Sequence, residues 1–302
     1  MKNNRGICFL DNIHTRRKLL GMTMVLPTVI ILVALILYPV ITNLYLSFTN
    51  SNLLKSGSSF IGFQNYAKIF SDKMFSKYAW NTLIWTVFSV VGQLVVGFAL
   101  ALLISRQMRG GTFLRSFLLI PYVVPAVSIA LIARWILNSN YGIVNHWLQN
   151  MGLVASGQSA LSLPVGAMIV VIIFNIWRSY PFPMLIYWAA LKGIDKELYE
   201  AANVDGANKL QVFLYITLPQ LRNTTLTLLI LRIAWTATYF DLIWMVTGGG
   251  PAGSTTQLPI MIYQNSFGTF QIGYAAAISV ILGLILMVFV IAYIRRSKNF
   301  AD

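Results

Sequence analysis

Residues 200–219 read EAANVDGANKLQVFLYITLP, a stretch of small and polar residues set between long apolar runs. Leu198, Ala201 and Ala202 recur at helical spacing, Asp195 stands where it would cap that helix, and Gly206 stands where a left-handed residue would end it. A second short helix is expected next, with Leu210, Phe213 and Leu214 on one face and Pro219 as its stop before the following apolar run. The expected product is a bent two-helix knob. A plain connector between two spans is the alternative, although a connector has no need of so many small residues beside an acid. A DNA-reading helix-turn-helix fits poorly, because residues 191–223 hold four bases (Lys192, Lys196, Lys209, Arg222) and four acids (Asp195, Glu197, Glu200, Asp205). A segment with no net charge offers phosphate no attraction.

Composition sets the solvent. Of 302 residues, 57% are hydrophobic and 10% charged, too little polar material to give one soluble domain of this size a wettable surface. The first run, Leu19 to Leu54, carries no charge, exceeds a signal-peptide core in length and lacks an evident cleavage site, so a retained span is expected there. The pattern predicts an all-α integral membrane protein with six transmembrane helices at about 20–46, 80–105, 115–137, 164–190, 224–247 and 271–294. Residues 1–19 and 295–302 are then tails, and the knob lies in the 191–223 loop.

The formal charge of +14 is distributed unevenly. Fifteen bases fall on one side: Lys2, Arg5, Arg16, Arg17 and Lys18 before the first span, Arg106, Arg109 and Arg115 after the second, four in the 191–223 loop, and Arg295, Arg296 and Lys298 at the end. The other side has Lys55, Lys68, Lys73 and Lys77, and residues 138–163 and 248–270 contain no Lys or Arg. The positive-inside rule therefore predicts cytoplasmic termini and a knob facing the compartment that holds ATP.

Several chemistries find no residues to carry them. Cys8 is the sole cysteine, so no intramolecular disulfide is expected, and His14 and His146 do not form a metal-ligand spacing. The chain contains no Gly-Lys pair and hence no phosphate-cradling Walker loop. Gly248-Gly249-Gly250-Pro251-Ala252-Gly253 satisfies G-x-G-x-x-G by spelling, but it follows an apolar span instead of a strand and opens no helix at its last glycine.

Glu200-Ala201-Ala202, Gly206 and the ending Ile216-Thr217-Leu218-Pro219 resemble the EAA motif of ABC-importer permeases, and Asp205-Gly206-Ala207 with Phe213 resemble its carbohydrate-uptake branch. The likeness runs from about residue 20 to 294. Leu26-Pro27, Tyr38-Pro39, Gly62-Phe63-Gln64-Asn65-Tyr66, Asn81-Thr82, Pro121 with Pro125, Gly142-Ile143-Val144-Asn145 and Ile176-Trp177-Arg178 all resemble the sugar-permease pattern. So does Phe240-Asp241-Leu242-Ile243-Trp244 followed by Thr247-Gly248-Gly249-Gly250-Pro251, whose glycine-rich ending is similar to the MalF-type half of such transporters, not the MalG-type half. The chain departs from the maltose permease in being shorter, with no room for its extra periplasmic domain or additional N-terminal spans.

The resemblance implies a type I importer permease core in a bacterial or archaeal cytoplasmic (inner) membrane. It implies a second, MalG-like permease, two ATP-binding cassette subunits below, an extracytoplasmic solute-binding protein above and a carbohydrate as cargo. This chain would bind no cofactor, ATP and Mg belonging to the partner ATPase. Glu200 would meet a basic residue of the ATPase, Ala201, Ala202 and Ala207 would let the knob seat deeply, and Asp205, Gly206, Phe213 and Pro219 would complete the coupling motif. Asn175 and Ser179 in the fourth span, with Trp235, Thr236 and Tyr239 in the fifth, have the aromatic faces, amides and hydroxyls that a sugar needs. By their offsets from Glu200 they resemble substrate-contacting positions of the maltose permease; packing is the alternative role for such aromatics. Arg178 and Arg232 stand where the family often has a base, and packing or gating is the expectation for them. An ion-coupled secondary transporter would usually show two related repeats and a relay of intramembrane acids, whereas Asp241 is the only acid in any expected span. A membrane-embedded enzyme would need a nucleophile with its base, or a metal set, and finds neither.

Overall fold

The computed structural model describes residues 20–55, 57–105 and 111–298. The N-terminal tail with Cys8, His14 and its five bases, the bases Arg106 and Arg109, and residues 299–302 lie outside the described residues. Helices form nearly all of the described chain: α1 (Leu20–Ser47), α2 (Gln64–Ser71), α3 (Lys73–Ser105), α4 (Gly111–Val123), α5 (Ala126–Ile136), α6 (Ile143–Asn150), α7 (Pro164–Ser179), α8 (Pro181–Lys192), α9 (Lys196–Val204), α10 (Lys209–Val212), α11 (Arg222–Ala237), α12 (Asp241–Thr247), α13 (Leu258–Tyr263) and α14 (Ile272–Lys298). The one extended pairing is an isolated antiparallel bridge between Thr49 and Phe60.

Six spans result, and they fall into two kinds. α1, α3 and α14 are long and continuous, while the third, fourth and fifth spans are each broken in two: α4 with α5 at 89°, α7 with α8 at 43° and α11 with α12 at 44°. Proline explains two of the breaks. Pro125 is the extended cap that begins α5, and Pro181 and Pro183 occupy the first turn of α8, where a missing N–H is tolerated. The fifth span breaks at Thr238–Phe240 with neither Gly nor Pro; there the indole N–H of Trp85 on α3 donates to the Thr236 carbonyl at 2.9 Å. An unwound segment survives at membrane depth only where protein or water supplies such partners.

Two prolines inside helices are absorbed in another way. In α1 a π-helical turn, Val33–Leu37, ends two residues before Pro39, and after α10 a second one, Phe213–Thr217, ends two residues before Pro219. The wider turn removes the clash between the proline ring and the carbonyl four residues back. Pro219 consequently does not stop its helix as the sequence suggested. The helix continues through Gln220 and yields at Leu221.

α3 is the hub, about 50 Å long at 1.5 Å per residue, and it packs against α7, α8 and α11. Gly97 makes the approach to α8 possible, since a Cβ there would lie 2.8 Å from Pro183 Cβ and 3.1 Å from the Tyr180 carbonyl oxygen. Around Trp85 of α3 the core gathers Ile129, Ala133, Val171, Leu242, Ile243 and Ile260 from four other elements. α1 packs its C-terminal part on α14, whereas its most apolar window is uncovered by the other described residues.

Asparagines clamp the loops at the end of the bundle opposite the knob. Asn81 donates to the carbonyls of Gly253 and Thr256, both at 3.0 Å, while its neighbour Thr82 accepts from the Leu258 N–H at 2.9 Å. Asn65 donates to Ser47 and Thr49, and Asn145 donates to Gln158 while accepting from Ala160. The loop beginning Gly248-Gly249-Gly250 is thus a partly buried turn held to α3, with Thr256 Oγ1 donating to the Gly249 carbonyl at 2.9 Å.

Candidate functional site

All three breaks meet at one cavity of about 630 Å³. Tyr122 comes from the end of α4, Asn175, Arg178 and Ser179 from the last turn of α7, and Arg232 to Asp241 from the broken segment of the fifth span. Asn175, Ser179, Trp235, Thr236 and Tyr239, chosen from sequence as a carbohydrate path, all lie on its wall. Breaking a helix is what brings its polar residues here, because the spare backbone groups and the side chains near them need a polar environment.

The wall combines free hydrogen-bonding groups with ring faces. Asn175, Ser179 and Thr236 are buried, and Ser179 Oγ donates to Asn175 Oδ1 at 3.3 Å. The amide nitrogen of Asn175, the hydroxyls of Thr236 and Tyr239 and the Nε of Arg178 have no hydrogen-bond partner among the described residues. Trp235 is half-exposed and meets Phe182 at 5.3 Å between centroids. Donors and acceptors beside an accessible indole suit a ligand that has hydroxyl groups on its edge and C–H groups on its face.

Sequence reasoning treated the arginines as packing or gating residues, but both also line this cavity. Arg178 lies with Cζ 5.5 Å from the Tyr239 ring centroid, and Arg232 with Cζ 5.7 Å from that of Trp235. Arg232 Nε also donates to Gln93 Oε1 on α3 at 2.7 Å, which ties the fifth span to the second. Asp241 shares the wall, whereas Arg134 lies apart, at the end of α5 beside Trp135 and Tyr141. The cost of ionisable groups in spans calls for partners or a watery cavity at all four of these residues, and the cavity answers it for Arg178, Arg232 and Asp241.

At the far end of α8 stands the two-helix knob. Asp195 caps α9, its carboxylate accepting from the Glu197 N–H at 3.1 Å. α9 ends in a Schellman turn: Gly206 has φ +76°, its N–H donates to Asn203, and the Ala207 N–H reaches back to Ala202 at 2.9 Å. Asn208 and Gln211 then form a reciprocal capping box that starts α10, at 2.9 and 2.8 Å, a device the sequence reading missed although Asn-x-x-Gln is legible. Tyr199 Oη lies 3.2 Å from Thr217 Oγ1 and links the two arms. Phe213 packs on Phe98 of α3 at 6.0 Å, so it roots the knob on the bundle. Glu200, Ala201, Asp205 and Pro219 are exposed, Ala202 and Ala207 partly so, and Leu198, Val204, Leu210 and Tyr215 of the knob are large apolar side chains left uncovered by the described residues.

Comparison with known proteins agrees with this architecture. Residues 93–299 match the family described as binding-protein-dependent transport system inner membrane component. The sulfoquinovosyl glycerol transport system permease protein of Agrobacterium fabrum is 36% identical over 93% of this chain and 92% of its own length. The trehalose/maltose transport system permease protein of Thermococcus litoralis is 31% identical over 94% and 95%. Among solved structures, a chain of a bacterial ABC transporter that imports the acidic polysaccharide alginate superposes with a TM-score of 0.83 at 25% identity, covering 95% of this chain and 98% of that one. The chain therefore belongs to the family of inner-membrane components of binding-protein-dependent transport systems.

Proposed function

We propose that the chain is the MalF-like permease subunit of an ATP-driven importer of a saccharide or sugar derivative, lining the translocation path and receiving the ATPase stroke on its knob. The observation that carries the reading is the convergence of three broken spans on one polar, aromatic cavity. The relatives support the cargo class: by their names one transports sulfoquinovosyl glycerol and another trehalose or maltose. A solved relative was captured with a periplasmic protein holding an alginate pentasaccharide.

In this reading a loaded solute-binding protein delivers sugar at the outer end, where asparagine clamps fix the loops. Asn175, Ser179, Thr236 and Tyr239 hydrogen-bond its hydroxyls while Trp235 covers a ring face. A MalG-like permease supplies the other half of the path. Two ATPase subunits hold ATP and Mg and close on it in the cytoplasm, where both termini of this chain also lie. Glu200 meets a base of one ATPase, Ala201, Ala202 and Ala207 let it approach closely, and the Schellman turn at Asp205-Gly206 sets the angle between the arms. Phe213 and the helix through Pro219 carry the displacement to α3 and α11, so the two states of the core are biased by nucleotide below and loaded receptor above.

The test is uptake into membrane vesicles that hold both permeases and the ATPase, supplied with the binding protein and the saccharide that stabilises it in a thermal-shift screen. Uptake that continues after the proton gradient is collapsed and stops without ATP is expected; uptake that follows the gradient and ignores ATP selects an ion-coupled transporter.

A further inference from the structure

Two cations share one indole where the third and fourth spans meet. Arg115, in the second turn of α4, holds its guanidinium carbon 4.5 Å from the Trp188 ring centroid, and Lys192, the last residue of α8, holds Nζ 4.2 Å from it. Lys192 and Trp188 are one turn apart on α8, whereas Arg115 arrives from a different span. One ring attracts one cation well; two cations on the same ring repel each other unless an anion joins them.

No carboxylate answers this charge among the described residues. The other contact of Arg115 is a long one, Nη2 to the Ile104 carbonyl at 3.4 Å, and the acid next in sequence to Lys192, Asp195, turns its carboxylate to the Glu197 N–H. Trp188 Nε1 and Arg115 Nε are buried without a hydrogen-bond partner. On the opposite face of α4, Phe113, Phe117 and Ile120 stand at spacings of four and three, 78%, 59% and 51% exposed, so the helix turns an apolar side away from the two cations.

We propose that Arg115, Lys192 and Trp188 form a headgroup site for an anionic phospholipid, its phosphate answering the two cations where the third and fourth spans meet. Tryptophan and bases gather at headgroup level in many membrane proteins. The distinguishing features here are a pair of cations on one ring and the missing counter-charge, and basic pockets between spans are where anionic lipids dock. The site joins α4 to α8 immediately before α9, so lipid bound there braces the root of the knob.

The experiment is native mass spectrometry of the permease pair, delipidated and re-exposed to equal amounts of phosphatidylglycerol and phosphatidylcholine of the same acyl chains. The wild type is expected to retain phosphatidylglycerol at least three-fold more than R115Q/K192Q, with phosphatidylcholine retention equal in the two. K55Q/K73Q, which removes two bases from the opposite end of the bundle, should behave as wild type. W188F, which keeps the ring face, guards against a folding defect and should retain most of the lipid. Equal phosphatidylglycerol retention in R115Q/K192Q and wild type overturns the proposal. So does stabilisation by inorganic phosphate without lipid selectivity, which would make the site one for a soluble anion.

Discussion

Ser179 donates its hydroxyl to Asn175 Oδ1 at 3.3 Å, and this bond leaves the Asn175 amide nitrogen as a buried donor with no partner among the described residues. A donor held in place by a neighbour one turn away is suited to reading a hydroxyl on a ligand, because little rotamer freedom is lost when the ligand arrives. The same cavity offers the Tyr239 hydroxyl in the same condition.

Asn175→Ala and Tyr239→Ala should each raise the KM for uptake about five-fold, the effect of one lost hydrogen bond of about 1 kcal/mol. Assembly and basal ATP hydrolysis should be kept. Unchanged uptake kinetics in both variants would move sugar recognition to the partner permease.

Asn81 should prove structural. Removing its amide leaves two buried carbonyls, those of Gly253 and Thr256, without this donor, and unsatisfied buried groups cost about 1–3 kcal/mol each. Asn81→Ala should therefore lower the melting temperature of the purified permease pair more than Asn175→Ala does. Equal melting temperatures would show that the clamp contributes nothing to stability.

Asn208 is not a silent position in the knob, as its reciprocal pairing with Gln211 makes plain. Asn208→Ala should destabilise the start of α10 by about 1 kcal/mol and speed amide exchange in residues 208–212, with exchange in α9 unchanged. Protection equal to wild type would mean that the π turn and Phe213 hold this arm without the cap.

Orientation can be read by thiol labelling. Ser254 is a poor probe because its hydroxyl is buried, but Ser58 is exposed in the loop after α1. In a Cys8→Ser background, Ser58→Cys should react with an impermeant maleimide in intact cells. In the otherwise unaltered chain, Cys8 should be protected. The reverse pattern would invert the topology.

Much of this was legible in residue order. Apolar run lengths located six spans, Asp195 and Gly206 marked both ends of α9, and the five polar and aromatic residues picked from the fourth and fifth spans share one cavity wall. What was hidden is tertiary. The fifth span breaks without Gly or Pro, and Trp85, whose indole donates to the Thr236 carbonyl at the break, lies 151 residues away. Pro219 reads as a stop in any local pattern, and only the π turn upstream lets the helix pass it. The charge of Arg178 and Arg232 calls for partners or a watery cavity, yet sequence alone favours packing or gating, because the breaks that turn those positions toward a cavity do not appear in hydropathy.

The central claim is that the knob transmits work, and Gly206 tests it most directly. Its φ is +76° and nothing lies within 4 Å of an added Cβ, so substitution acts through backbone strain of about 1–2 kcal/mol for a β-branched residue and much less for Asn, which tolerates the left-handed region. The measurement is ATP hydrolysis by the reconstituted permease pair and ATPase, with and without sugar-loaded binding protein. Wild type and Gly206→Asn should be stimulated by the loaded receptor, while Gly206→Val and Glu200→Lys should insert normally yet lose the ATPase or its stimulation. Full stimulation in both Gly206→Val and Glu200→Lys would contradict the account and leave the knob a mere connector.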